Sequence, residues 1–248
     1  MRKTILITGA SSGLGEGLAR AYAAHGRDLA LCARRTDRLD ALRSELLAKH
    51  PGIRVAVRAL DVNDHAAVFS VFEDFASEFG TIDRIIVNAG VGNGRRIGTG
   101  HFAINVQTAQ TNFVAALAQC EAAVAIFRRQ KHGHLVTICS MSAMRGLPKH
   151  LTTYAATKAG LAALTEGIRA ELLATPIRVS AIFPGYITTE LNAGAKGLPF
   201  VVSGEIGSRA LFAAIEREPT KACVPAWPWT VVGWAMRWLP LRWVARLA

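Results

Sequence analysis

The chain has 248 residues, 51% of them hydrophobic, and a formal net charge of +11. That length suits one large α/β core better than two small domains. The basic residues are scattered, with no dense Lys/Arg block or interleaved aromatics, so a nucleic-acid surface is not expected and the charge points to an anionic cofactor, substrate or membrane surface. In chain order, residues 3–8 read as a short apolar strand, then a Gly-rich turn and a helix to about residue 25. A second strand covers 28–33, and Leu39, Leu42, Leu46 and Leu47 mark a helix over 36–49. Residues 54–60 alternate as a strand, 64–79 are helical, and 84–88 form a fourth strand. A long helical region over 102–129, a fifth strand over 134–139, a helix over 153–173 and a sixth strand over 178–183 follow. Strands alternating with helices of this length predict a doubly wound parallel β-sheet in three α/β/α layers, as a single domain over 1–248.

Cys32, Cys120, Cys139 and Cys223 form no CxxC pair and no zinc spacing. They read as buried small apolar residues of a reduced, intracellular protein, and no metal site is expected. The apolar run after the basic start breaks too early for a signal peptide, and no uninterrupted apolar stretch reaches the length of about 18 residues that spans a bilayer. A cytoplasmic location is expected, with attachment to a membrane surface left open.

Four motifs carry chemistry. Thr8-Gly9-Ala10-Ser11-Ser12-Gly13-Leu14-Gly15 lies between the first strand and the first helix, where glycines allow close backbone approach and the helix N-terminus offers amides to a pyrophosphate. Ala33-Arg34-Arg35 ends the second strand, where an acidic residue would select a free ribose 2′-hydroxyl; arginines there attract a 2′-phosphate and favour NADP(H). Asp61-Val62 follows the third strand, with Asp61 placed either to hold an adenine amino group or to start a helix. Tyr154 and Lys158 stand four residues apart on one helix face. An ammonium beside a phenol favours the phenolate, so the pair is a candidate general acid/base.

With Asn88-Ala89-Gly90, Asn112, a serine near 140 and Pro184-Gly185-Tyr186-Ile187-Thr188-Thr189, these motifs run in the order and at the intervals of the short-chain dehydrogenase/reductase family, which the chain resembles from residue 4 to about 190. The resemblance implies a Rossmann fold, a bound NADP(H), and a small carbonyl or alcohol substrate, with proton exchange at Tyr154 and a Lys158 that lowers the tyrosine pKa and holds the nicotinamide ribose. It implies that Asn112 holds a water in a proton relay, the alternative being a helix asparagine satisfying its own backbone. Gly9, Ser11, Ser12, Gly13, Leu14, Gly15, Arg34, Arg35, Asp61, Val62, Asn88, Ala89 and Gly90 then line the adenosine and ribose side, and Pro184, Gly185, Ile187 and Thr189 the nicotinamide side. The family interval from catalytic serine to tyrosine is 13, where this chain has Met141. Ser140, eight before Pro148, is favoured over Ser142, and its 14-residue interval to Tyr154 requires one extra residue accommodated within 149–153. Asn105 is a second asparagine at the wrong interval. The helix stripe Leu161, Leu164, Ile168 and Leu172 is apolar, and family analogy implies a homodimer or homotetramer.

After Thr189 the resemblance fades. Residues 190–206 read as a substrate lid hinged at Gly194 and Gly197. Residues 224–248 form an arm holding all five tryptophans, interleaved with Arg237, Arg242 and Arg246. Such a sequence either packs on the domain, on a partner or over the substrate pocket, or lies in a membrane interface and suits a lipophilic substrate. The leading expectation is an NADP(H)-dependent enzyme interconverting a carbonyl and a secondary alcohol. The alternatives are a catalytically silent NADP(H)-binding sensor or scaffold, a related epimerase or dehydratase, and a protein whose main role is membrane attachment.

Overall fold

Strand β1 (Thr4–Thr8) is buried at every residue, as a strand in the middle of a parallel sheet must be. It lies between β2 (Asp28–Ala33) and β4 (Arg84–Val87), so that Leu6 pairs with Ala30 on one side and Ile85 on the other. With β3 (Val55–Ala59), β5 (Gly133–Ile138), β6 (Ile177–Pro184) and β7 (Lys221–Val224), it forms a seven-stranded sheet in the order β3-β2-β1-β4-β5-β6-β7, parallel throughout. The computed structural model describes residues 2–190, 194 and 197–247.

Helices cover both faces. Helices α1 (Gly13–Ala24), α2 (Thr36–Lys49) and α7 (Gly204–Glu216) seal one face through Leu18, Tyr22, Leu39, Leu46, Leu211 and Ile215. Helices α3 (His65–Phe79), α5 (Ala115–Gln130) and α6 (Leu151–Glu171) seal the other, through Phe72, Phe75, Ile126, Phe127 and Leu161. The expected three-layer, doubly wound Rossmann architecture is what the chain forms.

The expected helix over 102–129 is broken in its middle. Helix α4 (Phe102–Ala109) passes through one wide π turn, Gln110–Val114, before α5 begins. Strand β7 and helices α7, α8 (Ala226–Trp238) and α9 (Leu241–Leu247) complete the C-terminal part. Backbone angles at Trp227 (φ −98°, ψ 134°) interrupt the first turn of α8. Three cysteines are buried as expected, but Cys223 is only half-buried because β7 is the sheet edge; all four are free thiols.

A polar cluster closes the N-terminal ends of the central strands. Arg84, 1% exposed, donates to His134 Nδ1 at 2.8 Å, to the Tyr22 hydroxyl at 2.9 Å and to the carboxylates of Glu216 and Glu218. Because arginine only donates, His134 Nδ1 is an acceptor, so its Nε2–H donates to Ser180 Oγ at 2.8 Å. Ser180 in turn donates to the Pro219 carbonyl. Burial, reinforced by the Arg84 charge, holds the His134 imidazole neutral, with its pKa pushed down to about 3.

Candidate active site

The opposite, C-terminal ends of β1, β2, β4, β5 and β6 hold the residues singled out in the sequence. The turn after β1 takes left-handed angles at Gly9 (φ 65°) and Gly13 (φ 57°). A Cβ on Gly15 would lie 2.5 Å from the Gly9 carbonyl and 2.7 Å from Asn88 Nδ2, so only glycine lets the start of α1 close onto this turn. Helix α1 opens without a side-chain cap: the Ser12 hydroxyl instead accepts from Arg35 at 2.5 Å, and Ser11 Oγ accepts from Arg35 Nε at 3.3 Å. The leading amides of α1 therefore remain directed toward the cradle. Leu14 packs beneath the turn on the core.

Arg34 is exposed at the end of β2, while Arg35 leans over the glycine turn. Arg35 also pairs with Glu190 at 3.0 Å, and Arg38 binds the other Glu190 oxygen. Hydrogen bonds from Arg38 and then Arg35 hold the Glu190 carboxyl below the usual carboxylate range. Sequence reasoning missed Glu190; its signal is its place directly after Thr189, as an acid facing an arginine pair.

Asp61 does not start helix α3. Its carboxylate accepts from Asn63 N and Nδ2, both at 3.0 Å, while Asp64 is the cap, accepting from Ala67 N at 3.0 Å. Val62 is buried in the core. Asn88 Nδ2 donates to Thr8 O at 2.9 Å, and Thr8 Oγ1 accepts from Asn88 N and Ala89 N at 3.0 and 3.1 Å. The loop after β4 is thereby fastened to the glycine turn.

Asn112 sits in the π turn and is 1% exposed. Its Oδ1 accepts from Val91 N and its Nδ2 donates to Val91 O, both at 2.8 Å. The side chain thus serves the backbone of the loop after Gly90 rather than its own helix. The wide turn is what aims it there. Asn105 makes a separate clasp, accepting from Arg95 N at 2.8 Å.

Gly90 lies between Asn112 and Lys158: a Cβ there would be 3.1 Å from Asn112 Oδ1 and 3.6 Å from Lys158 Nζ. Ser140 follows β5 in an extended conformation, and its Oγ accepts from Ser142 N at 3.1 Å in the single 3₁₀ turn Met141–Met144. The Ser140 hydroxyl is also the neighbour whose hydrogen bonding favours the ionised form of Tyr154. Lys149, at the start of the stretch expected to hold the extra residue, adopts a left-handed φ of 63° just before α6. Helix α6 then carries Tyr154 and Lys158, and Lys158 Nζ donates to the Ile138 carbonyl at 2.8 Å.

The electrostatics depart from expectation. Burial raises the Tyr154 pKa above its ordinary value, and the hydrogen bond from Ser140 offsets only part of that rise. Lys158 Nζ lies 6.0 Å from the Tyr154 ring centroid and is itself buried, which lowers its own pKa. Desolvation is the largest influence on both groups, so the tyrosine is a protonated phenol at neutral pH.

Pro184 ends β6, and Gly185 N donates to Val224 O at 2.8 Å. A Cβ on Gly185 would lie 2.0 Å from the Trp229 indole, so this residue of the arm packs directly on the candidate site. Ile187 is buried and bridges to Val202, and Thr189 lies against Gly13 across the turn. In the expected lid, 191–193 and 195–196 lie outside the described residues. Among the described residues no group of His, Cys, Asp or Glu is placed to hold a metal ion.

A short-chain dehydrogenase family model matches residues 3–196. The chain therefore belongs to the short-chain dehydrogenase/reductase family of nucleotide-dependent oxidoreductases. It is 51% identical to an uncharacterized oxidoreductase of Mycobacterium tuberculosis, over 100% of this chain and 98% of that protein. A short-chain dehydrogenase from Sphingobium yanoikuyae, solved in complex with NADPH, superposes with a TM-score of 0.81 at 29% identity, covering 94% of this chain and 93% of that one. A family member from Burkholderia phymatum, solved in complex with NAD, shares the fold with a TM-score of 0.82 at 20% identity, covering 93% and 91%.

Proposed function

We propose that the protein is an NADP(H)-dependent oxidoreductase that interconverts a small carbonyl compound and its secondary alcohol, with Tyr154 as the proton donor and acceptor. The observation that carries this reading is Lys158 and Asn112 meeting beside Gly90, with the Tyr154 ring centroid 6.0 Å from the Lys158 ammonium and its hydroxyl hydrogen-bonded by Ser140, one strand-end away from an uncapped helix N-terminus and its glycine cradle. Both dinucleotides occur on this fold, so the choice is read from the end of β2. There Arg34, Arg35 and Arg38 stand where a carboxylate would select the 2′-hydroxyl.

The cradle fits a dinucleotide: Gly9, Gly13 and Gly15 leave room for a pyrophosphate on the α1 amides, and Arg35 offers a donor fork to a 2′-phosphate. Bound there, the nicotinamide supplies or accepts the hydride. The chain supplies the rest. Ser140 Oγ donates to the substrate oxygen and orients it, and Tyr154 delivers its phenolic proton to that oxygen as charge develops. Lys158, anchored at Ile138 O, stands as a cation near the phenol and opposes the burden that burial places on the phenolate. Asn112 fixes the Val91 backbone and so the wall behind Lys158. Ser142 steadies Ser140 through its amide.

A panel of aliphatic, cyclic and aromatic ketones mixed with NADPH or NADH, followed at 340 nm, tests the reading. NADPH oxidation on at least one ketone, faster than NADH oxidation, is the expected outcome. NADPH binding without turnover across the panel would favour a silent sensor.

A further inference from the structure

The arm has two apolar sides, and only one of them is used by the fold. The inner side packs on the domain: Trp229 lies on Gly185 and faces Tyr186 at 5.5 Å between ring centroids. Met236 and Leu239 join Leu147, Ala155 and Val244 in a small cluster beside α6. Arg145 also donates to the Arg237 carbonyl at 2.7 Å. The outer side is equally apolar. Val231, Trp234 and Trp238 recur at helical spacing and are 53%, 67% and 74% exposed. Trp227 precedes them at 77%, and Leu241 and Trp243 extend the stripe along α9 at 57% and 55%. Four tryptophans in water on one short stretch is far more apolar exposure than a solvated helix face requires.

The charges around this stripe have one sign. Residues 219–248 contain Lys221, Arg237, Arg242 and Arg246 and no Asp or Glu. Trp234 and Trp238 also border a groove of about 640 Å³ between α7, β7 and α8, whose polar rim is Arg217, Lys221 and Arg237 and whose floor includes Ala210, Cys223 and Val224. Of these cations, Lys221 is paired, with Glu166 at 2.8 Å. The whole chain carries the same sign, with a net charge of +11.

We propose that the outer face of α8 and α9 docks onto an anionic lipid surface, lying in the interface with Trp227, Trp234, Trp238 and Trp243 at headgroup depth and Arg237 and Arg242 against the lipid phosphates. Indole rings partition to the headgroup level, and basic side chains add electrostatic attraction to anionic lipids. A second copy of the chain is a poorer occupant, because a two-fold contact through this stripe would set Arg237 and Arg242 against their own copies with no acid to meet them. No helix among the described residues is long and apolar enough to cross a membrane, so the contact is interfacial. The inner side of the same helices packs on the segment that carries Ser140 and Tyr154, so the docked face and the site share one end of the molecule. The inference concerns lipid binding alone and stands or falls separately from the redox reading.

Flotation of the full chain with phosphatidylcholine vesicles, with and without about 30% phosphatidylglycerol, tests it. The expected result is binding to the anionic vesicles with a blue shift of tryptophan emission, weakened by salt. Trp234→Ala with Trp238→Ala is expected to lower the partition coefficient about tenfold or more, since both indoles leave the interface. Arg237→Glu with Arg242→Glu keeps every indole and is expected to abolish the preference for anionic vesicles. Both variants are expected to keep the parent's thermal unfolding, and the second pair reads the proposal should the first misfold. Failure of the full chain to float with anionic vesicles overturns the proposal. Equal flotation of parent and both variants overturns it too, as does dissociation of an oligomer by the tryptophan substitutions with vesicle binding unchanged.

Discussion

Arg35 is the residue on which the proposed preference for NADP(H) turns. It binds Ser11, Ser12 and Glu190 at once, so its guanidinium is already held over the glycine turn. Arg35→Ala is expected to weaken NADPH binding by about 10- to 100-fold, the worth of one charge-assisted hydrogen-bond pair, and to change NADH binding little. Glu190→Gln is expected to act in the opposite direction, because its carboxylate now occupies the same two arginines that a 2′-phosphate would need. Titration of NADPH and NADH fluorescence with each variant reads both effects; an equal change for the two cofactors would remove Arg35 from the 2′-phosphate site. Tyr154 sets the pH dependence. Its pKa is raised by burial, so the phenol remains a donor across neutral pH. The kcat/KM for ketone reduction is expected to stay level from neutral pH to about 10, while alcohol oxidation, which needs the phenolate, rises with pH over the same range.

At the scale of elements, the sequence made the sheet legible because each central strand is a continuous apolar run bounded by turn residues, as in 28–33 and 84–88. Helix α2 was legible to the residue, since Leu39, Leu42 and Leu46 mark its buried face. The π turn at Gln110–Val114 was not, because a one-residue widening leaves the apolar periodicity on both sides almost unchanged. Strand β7 escaped because Lys221-Ala222-Cys223-Val224 is a short, half-exposed edge with no alternation to read. Ser140 was singled out only through Pro148, and the left-handed backbone at Lys149 was not legible at all. The raised Tyr154 pKa was not legible, because the spacing that brings Lys158 to the same face says nothing of how deeply both are desolvated. The π turn makes its own prediction. Asn112→Ala leaves the part-buried Val91 N–H and C=O without their side-chain partner, so a loss of about 1–3 kcal/mol of stability is expected. Asn112→Asp keeps the acceptor, loses the donor, and is expected to fall between the two in urea unfolding.

For the whole molecule, two polar centres sit at opposite ends of one parallel sheet. The active-site end is held by backbone clasps, whereas the other end is held by the Arg84–His134–Glu216–Glu218 cluster. His134 has a folded pKa of about 3 against an ordinary value of 6.5. Below about pH 6.5 the unfolded chain binds a proton that the native chain refuses, so stability falls as pH falls toward 3, by up to about 1.4 kcal/mol per pH unit. Glu218 adds to this at lower pH: burial opposes its ionisation, but the Arg2 hydrogen bond and the His134, Arg2 and Arg84 charges hold its carboxyl low, so its contribution is lost on acidification. Denaturant midpoints between pH 7 and 5 isolate the histidine, and His134→Gln is expected to flatten that slope by about one proton.

The central claim is that proton transfer at Tyr154 accompanies hydride transfer from NADPH bound on the glycine cradle. Its most direct test is Tyr154→Phe, with ketone turnover and NADPH affinity measured on the same preparation. The expected result is a fall in kcat of about 10²- to 10⁴-fold, the range for a lost general acid, with the NADPH dissociation constant changed by less than about threefold, an RT ln 3 of about 0.7 kcal/mol. Turnover that survives the substitution at the parent's rate would contradict the account.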